Sequence, residues 1–252
     1  MKLLSLVFVT ALAINAQAAD KIDAKYFELT KMTRTDVTEQ YDAKFGATTF
    51  AQAGLYENCN TGANNGTNGN MVTFAGEAPE LGLGVLDQAE VIIDQVINLG
   101  KKIWAVVETG RPVVNVQAYT ANALPKGVQC WSDLSGWQIP QSKVYRVQYE
   151  NAYGMKVVDF AYRVTFTAGG SVNGQGKYIT NATIMPADVN VSWGFTFNAS
   201  AEVPSVFNTG SKEDPVAGMQ LLMKWSVDTV MNHVEQAETF YIGGDNTLKH
   251  LE

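Results

Sequence analysis

From Lys143 to Ala199 the chain alternates apolar and polar side chains, and this period of two constrains the fold more than any other feature. Tyr145, Val147 and Tyr149 fall on one side, with Arg146, Gln148 and Glu150 on the other. Val158, Phe160, Tyr162, Val164 and Phe166 repeat the pattern against Asp159, Ala161, Arg163, Thr165 and Thr167. Val189, Val191, Trp193, Phe195 and Phe197 do so a third time, against Asn190, Ser192, Gly194, Thr196 and Asn198. Successive residues of a strand face opposite sides of a sheet, so each run predicts a half-buried strand in a mainly antiparallel sheet. Met219 to Val227 and Gln236 to Ile242 extend the series, giving a main strand run over 143–242. Turns are expected at Asn151 to Gly154, at Gly169-Gly170 and at Asn173-Gly174.

Only one stretch carries a helical period. Over 84–109, Leu86, Ala89, Ile92, Ile93, Val96, Leu99, Ile103, Val106 and Val107 recur at spacings of three and four, and Gly110 with Pro112 ends the pattern. A long amphipathic helix here would cover one face of the sheet. Between it and the strand run, Val113 to Tyr119 is expected as a strand and Thr120 to Ser142 as a loop. Upstream, Asp20 to Phe50 is expected as strand plus loop, and the Asn- and Gly-rich stretch 58–70 as an exposed connection. The polar tail 246–252 is expected to fray, and its terminal Leu-Glu has the form of an expression scar. The fold class expected is α+β: an antiparallel sheet or sandwich of about seven strands with one long helix packed on it.

The first residues have the form of an export signal. Lys2 gives a positive start, Leu3 to Ile14 an apolar core, and Ala16-Gln17-Ala18 a small-x-small cleavage pattern. Residues 1–19 are therefore expected to be removed, leaving 20–252 as one β-rich domain, periplasmic or secreted. The apolar core is shorter than the roughly 20 residues a spanning helix needs, so no transmembrane helix is expected after cleavage. In an oxidising compartment the two cysteines, Cys59 and Cys130, are expected to form a disulfide joining the Asn/Gly-rich stretch to the loop of 120–142.

Charge and motifs remove several function classes. The formal net charge is −7, and −8 once Lys2 is lost, which opposes nucleic acid as a partner because nucleic acid needs clustered Lys and Arg. Two histidines, His233 and His250, do not make a His-built metal site with two distant cysteines, so no metal and no cofactor is expected. The chain holds no Gly-x-Ser-x-Gly elbow, Walker loop or dinucleotide fingerprint. Strand-borne acids remain: Glu150, Asp159 and Glu238 leave carboxylate-dependent hydrolysis as one alternative. The other alternative is an outer-membrane β-barrel or pore, since ten-residue alternating strands with a small polar side also suit a lumen.

Binding is the reading left with the most support. Trp131 and Trp137 lie in a polar loop with Tyr119 and Tyr145 flanking it, and exposed rings of this kind stack on sugars or aromatic ligands. The large area these rings can bury favours a second role for the same tryptophans, as plugs at the open end of the sheet beside the disulfide. The expectation is an exported, non-catalytic binding or interaction protein of the cell envelope. Its partner would be an envelope component, a glycan or a small apolar ligand.

Overall fold

The computed structural model describes residues 23–45, 104–106, 120–126, 128 and 131–251. Two short helices, α1 (Ala24–Phe27) and α2 (Thr38–Phe45), flank the first strand, β1 (Leu29–Asp36). Nine further strands follow: β2 (Trp104–Val106), β3 (Ala121–Ala123), β4 (Gln141–Asn151), β5 (Lys156–Val172), β6 (Gln175–Val191), β7 (Thr196–Asn208), β8 (Ala217–Asp228), β9 (His233–Gly243) and β10 (Leu248–Leu251). They form two five-stranded sheets, ordered β1-β4-β5-β6-β3 and β10-β9-β8-β7-β2, and every neighbouring pair is antiparallel.

The sheets pack face to face because the alternation turns their apolar sides toward each other. Val158, Phe160, Tyr162, Val164 and Phe166 of β5 are fully buried, opposite Phe197, Met223, Trp225 and Phe240 of the second sheet. Phe160 lies 4.4 Å from Phe197 and 5.3 Å from Trp225, ring centre to ring centre. The Trp225 indole N–H donates across the core to the Tyr149 hydroxyl at 2.9 Å, so a buried polar tip still finds a partner. The outer face of β5 is covered as well: Val37 and Tyr41 pack on Val144 and Ala161.

Several expectations need correction. The 84–109 helix is not present where the structure describes it: Trp104 to Val106 is a strand paired with Phe197 to Ala199 of β7. Ile103 to Val107 is a continuous apolar run, which fits a buried strand as well as a helical face, and sheet pairing prevails. The remainder of that stretch, the expected strand at Val113 to Tyr119, and both Cys59 and Cys130 lie outside the described residues. Among the described residues the strands number ten rather than about seven. The run from Val189 to Phe197 is not one strand, since β6 ends at Val191 and the chain turns through Trp193-Gly194 into the other sheet. Gly194 sits at φ +79°, and an added Cβ would come within 2.6 Å of the Phe27 ring. Glycine is therefore required by conformation and by space together. The chain does not turn at Gly169-Gly170; β5 continues to Val172, and the hairpin closes at Asn173-Gly174, both with positive φ. Finally, the tail is no frayed end. Leu248 to Leu251 pairs with Thr239 to Ile242 and completes the second sheet.

Candidate functional site: an apolar end and a buried carboxylate centre

One end of the sandwich gathers three turns around α1. In the first, the Asn151 side-chain carbonyl accepts from the backbone N–H groups of Tyr153 and Met155 at 3.0 and 3.1 Å. That Asx arrangement fixes the β4–β5 loop and leaves Tyr153 and Met155 pointing outward. In the second, the Thr229 hydroxyl accepts from the N–H groups of Met231 and Asn232 at 3.1 and 2.8 Å, so Val230 and Met231 project from the β8–β9 turn. The third is Trp193-Gly194. Asp23 caps α1, and the helix ties the turns together: Ala152 N–H donates to the Glu28 carbonyl at 3.0 Å, Asn151 Nδ2 to the Tyr26 carbonyl at 3.0 Å, and Asn232 Nδ2 to the Phe27 carbonyl at 3.5 Å. The Tyr26 hydroxyl donates to the Trp193 carbonyl at 3.0 Å, and Phe27 fills the space beneath the Trp193 ring.

Hydrogen bonds within the protein hold these turns in place while their apolar side chains are not covered. Trp193 is 63% exposed, Val230 61% and Met231 54%, with Tyr153 and Met155 also more than half exposed. Most of the large apolar side chains left in solvent by the described residues therefore sit on this one end. The remaining three, Met32, Ile139 and Leu251, are scattered elsewhere. Single exposed apolar residues are ordinary, but a group of them on neighbouring turns marks an interaction surface. The surrounding charge leans acidic: Asp23, Glu28, Asp228 and Glu235 outnumber Lys25 and Lys156. His233 sits between Asp228 and Glu235, which raise its pKa.

The second notable feature lies between the sheets at their β1/β10 side. Glu238 of β9 is 5% exposed and accepts a short hydrogen bond from the Tyr162 hydroxyl. Arg34 Nη1 of β1 faces its Oε1 at 3.4 Å, and His250 Nε2 of β10 faces its Oε2 at 3.2 Å. The His250 ring stacks on Phe240 at 4.7 Å, and Tyr145 closes over Tyr162, Phe240 and His250. Five strands from both sheets thus converge on one carboxylate. Its oxygens are turned to Tyr162, Arg34 and His250, and the Tyr162 phenol is committed to it as donor, so the arrangement ties the edge strands to the centre rather than presenting a free base.

The other acids are similarly engaged. Arg146 Nε and Gln148 Nε2 both donate to the Asp159 carboxylate at 2.7 Å, and Lys31 faces Glu150 at 3.4 Å. Among the described residues, no group of His, Cys, Asp and Glu has the geometry to hold a metal ion.

Burial sets the behaviour of the tyrosines around this centre. Desolvation, with the Asp36 and Glu238 charges adding to it, pushes the Tyr145 phenol up to about 12. Away from this centre, burial and the Asp214 charge push Tyr178 up to about 12. Tyr162 is driven further in the same direction by burial and by Glu238. A raised folded-state value favours the neutral phenol, so this stabilisation is complete below about pH 10, where unfolded tyrosine ionises, and is lost as pH rises toward 12. Alkaline titration should therefore show tyrosinate absorbance that lags the ordinary value and then rises together with loss of the β-sheet circular dichroism. Smooth titration of all ten tyrosines near pH 10 in folded protein would contradict this packing.

The sequence-derived aromatic set is divided by the fold. Trp131 and Trp137 sit together at the opposite end from α1: Trp131 opens a 3-10 turn, and the Trp137 indole N–H donates to its carbonyl at 3.0 Å. Trp137 is half-buried against the core and lies across Gly170, where an added Cβ would meet its ring at 2.4 Å. Tyr145 is buried in the Glu238 centre, and Tyr119 lies outside the described residues. Trp137 thus acts as a plug on the sheet end. Gly170→Ala should dislodge the ring and cost about 1–3 kcal/mol, the usual range for overpacking, with a red shift in tryptophan emission. An unchanged melting temperature and spectrum would show that the ring carries no packing role.

A shallow groove of about 590 Å³ also opens on the outer face of the second sheet, lined by Asn198, Ser200, Lys224, Ser226, Glu235 and Gln236. It offers polar contacts but no exposed ring, since Trp225 beneath it faces the core. The α1 end was missed in the sequence because attention to period passes over turns. The available signal was apolar residues in turn positions: Tyr153 and Met155 around Gly154, Trp193 before Gly194, and Val230-Met231.

Compared with protein-family models, curated proteins and solved structures, the chain matches none.

Proposed function

We propose that this is an exported, non-catalytic binding protein of the cell envelope that makes contact through its α1 end. The observation that carries the reading is the group Trp193, Val230, Met231, Tyr153 and Met155, held outward by three turns that internal hydrogen bonds fix. Export rests on the signal-like residues 1–19. Neither alternative has comparable support. A membrane barrel needs its large apolar side chains outside, whereas those of β5, β7 and β8 face one another. A carboxylate hydrolase needs two acids open to substrate, whereas Glu150, Asp159 and Glu238 are each held by neighbouring side chains.

The test is cosedimentation of the mature chain with bacterial envelope fractions, comparing wild type with Trp193→Ser, Val230→Ser and Met231→Ser combined. These side chains are exposed, so the melting temperature should hold while envelope binding falls at least about tenfold. Equal binding by the triple variant would overturn the assignment of the α1 end.

A further inference from the structure

We infer that the surface met by the α1 end is lipid, and specifically a zwitterionic bilayer face. The inference rests on the α1 end being the contact surface, and it names what that end meets. Three features point to lipid. The apolar side chains stand on separate turns, Tyr153 and Met155 on one, Trp193 on another and Val230 with Met231 on a third, so they form projecting tips rather than a lined pocket. Small ligands need concavity, and the groove described above lies instead on the outer face of the second sheet.

The residue types also suit an interface. Trp193 and Tyr153 carry a polar edge on an apolar ring, the combination that settles at headgroup depth, while Met155, Val230 and Met231 are apolar throughout. The carbonyls of Tyr26, Phe27 and Glu28 behind the tips keep their partners on insertion, because they already accept from Asn151, Asn232 and Ala152.

Charge selects the kind of bilayer. Asp23, Glu28, Asp228 and Glu235 ring the tips against Lys25, Lys156 and His233, and the whole chain is acidic at −7. An anionic surface attracts juxtaposed Lys and Arg clusters, of which the described residues of this end hold none, and repels carboxylates. Insertion into a zwitterionic surface needs only the apolar side chains, so binding should be insensitive to salt.

The test uses the mature chain with phosphatidylcholine vesicles and with vesicles containing phosphatidylglycerol. Expected are sedimentation with phosphatidylcholine that persists at high salt, weaker sedimentation with the anionic vesicles, and quenching of tryptophan emission by brominated phosphatidylcholine. Trp193→Ser should weaken partitioning about tenfold or more and remove the quenching, and Met231→Ser should add to the loss, both at unchanged melting temperature. Absence of sedimentation at millimolar lipid, preference for anionic vesicles, or binding untouched by both substitutions would each overturn the lipid assignment. If envelope cosedimentation still depends on these side chains while phosphatidylcholine is not bound, lipid fails and the α1 end survives as a contact for protein or glycan. A concentration-dependent dimer abolished by Trp193→Ser would replace lipid with a second copy. If envelope binding does not depend on these residues either, both readings fall.

Discussion

Phe160→Ala should lower the unfolding free energy by about 3–5 kcal/mol, the cost of emptying a fully buried aromatic site. Phe160 is the ring on which both sheets meet: it contacts Phe197 of β7 and Trp225 of β8 and neighbours Tyr162 on its own strand. Truncation leaves a void lined from two sides by long strands whose registers are set by many other pairs, so the site has little freedom to collapse. Urea denaturation should show a lower midpoint at an unchanged slope, which assigns the loss to the native core. A cost below about 1 kcal/mol would mean that Phe160 is not between two sheets, as a lipid-facing strand would require.

Glu238→Ala should be about as damaging, again about 3–5 kcal/mol, but for a different reason. The substitution leaves the Tyr162 hydroxyl, buried in the core, without its acceptor and sets Arg34 and His250 beside each other without the anion between them. It also removes one link to β1 and β10, edge strands whose Arg34 and His250 face this carboxylate. Glu238→Leu separates these effects. Leucine restores the lost volume but not the acceptor or the charge, and removing one partner of a buried ionic group is costly whatever replaces it, so the leucine variant should recover only the packing share of the loss. Hydrogen exchange should then show faster opening of Leu248 to Leu251 in the alanine variant than in the leucine variant. Exchange of Leu248 to Leu251 in the alanine variant as slow as in the wild type, or a cost below about 1 kcal/mol for alanine, would show that the centre does not fasten the edge.

These two sites differ in how far sequence could reveal them. Phe160 belongs to a run whose period of two is complete, and a period of that length with polar intervals has one physical meaning. The strands β4, β5, β8 and β9 were legible for that reason. Glu238 was visible only as an acid on a strand. Its partners lie on β1, β5 and β10, and nothing in local sequence records the sheet order that assembles them. His250 was further hidden by its place in a polar tail, where the pairing of Lys249 with Tyr241 and of His250 with Phe240 makes the strand. The same limit explains the other errors. Alternation ran unbroken through Trp193-Gly194 because a two-residue turn between sheets preserves the parity of the pattern, and only the glycine marked it. At Trp104 to Val106 a short apolar run satisfied helix and strand alike, and its partner in β7 decided between them.

The α1 end rests on a distinction that period analysis does not make, between an apolar residue in a strand and one in a turn. Asn151, Thr229 and the Tyr26 hydroxyl of α1 each hydrogen-bond to the backbone of one of the three turns, so the outward side chains are not needed to hold them. Their retention in solvent is a cost to solubility that covering by another surface removes.

Oxidative footprinting of methionines tests this most directly, because the chain carries its own controls. Met155 and Met231 lie on the α1 end, Met32 is exposed on β1, and Met219 and Met223 are fully buried. In free protein, dilute peroxide should oxidise Met155, Met231 and Met32 readily and spare Met219 and Met223. With saturating envelope fraction, Met155 and Met231 should become protected while Met32 continues to react. Protection of Met32 with Met155 and Met231 still reactive would place the contact on another face and contradict the assignment of the α1 end.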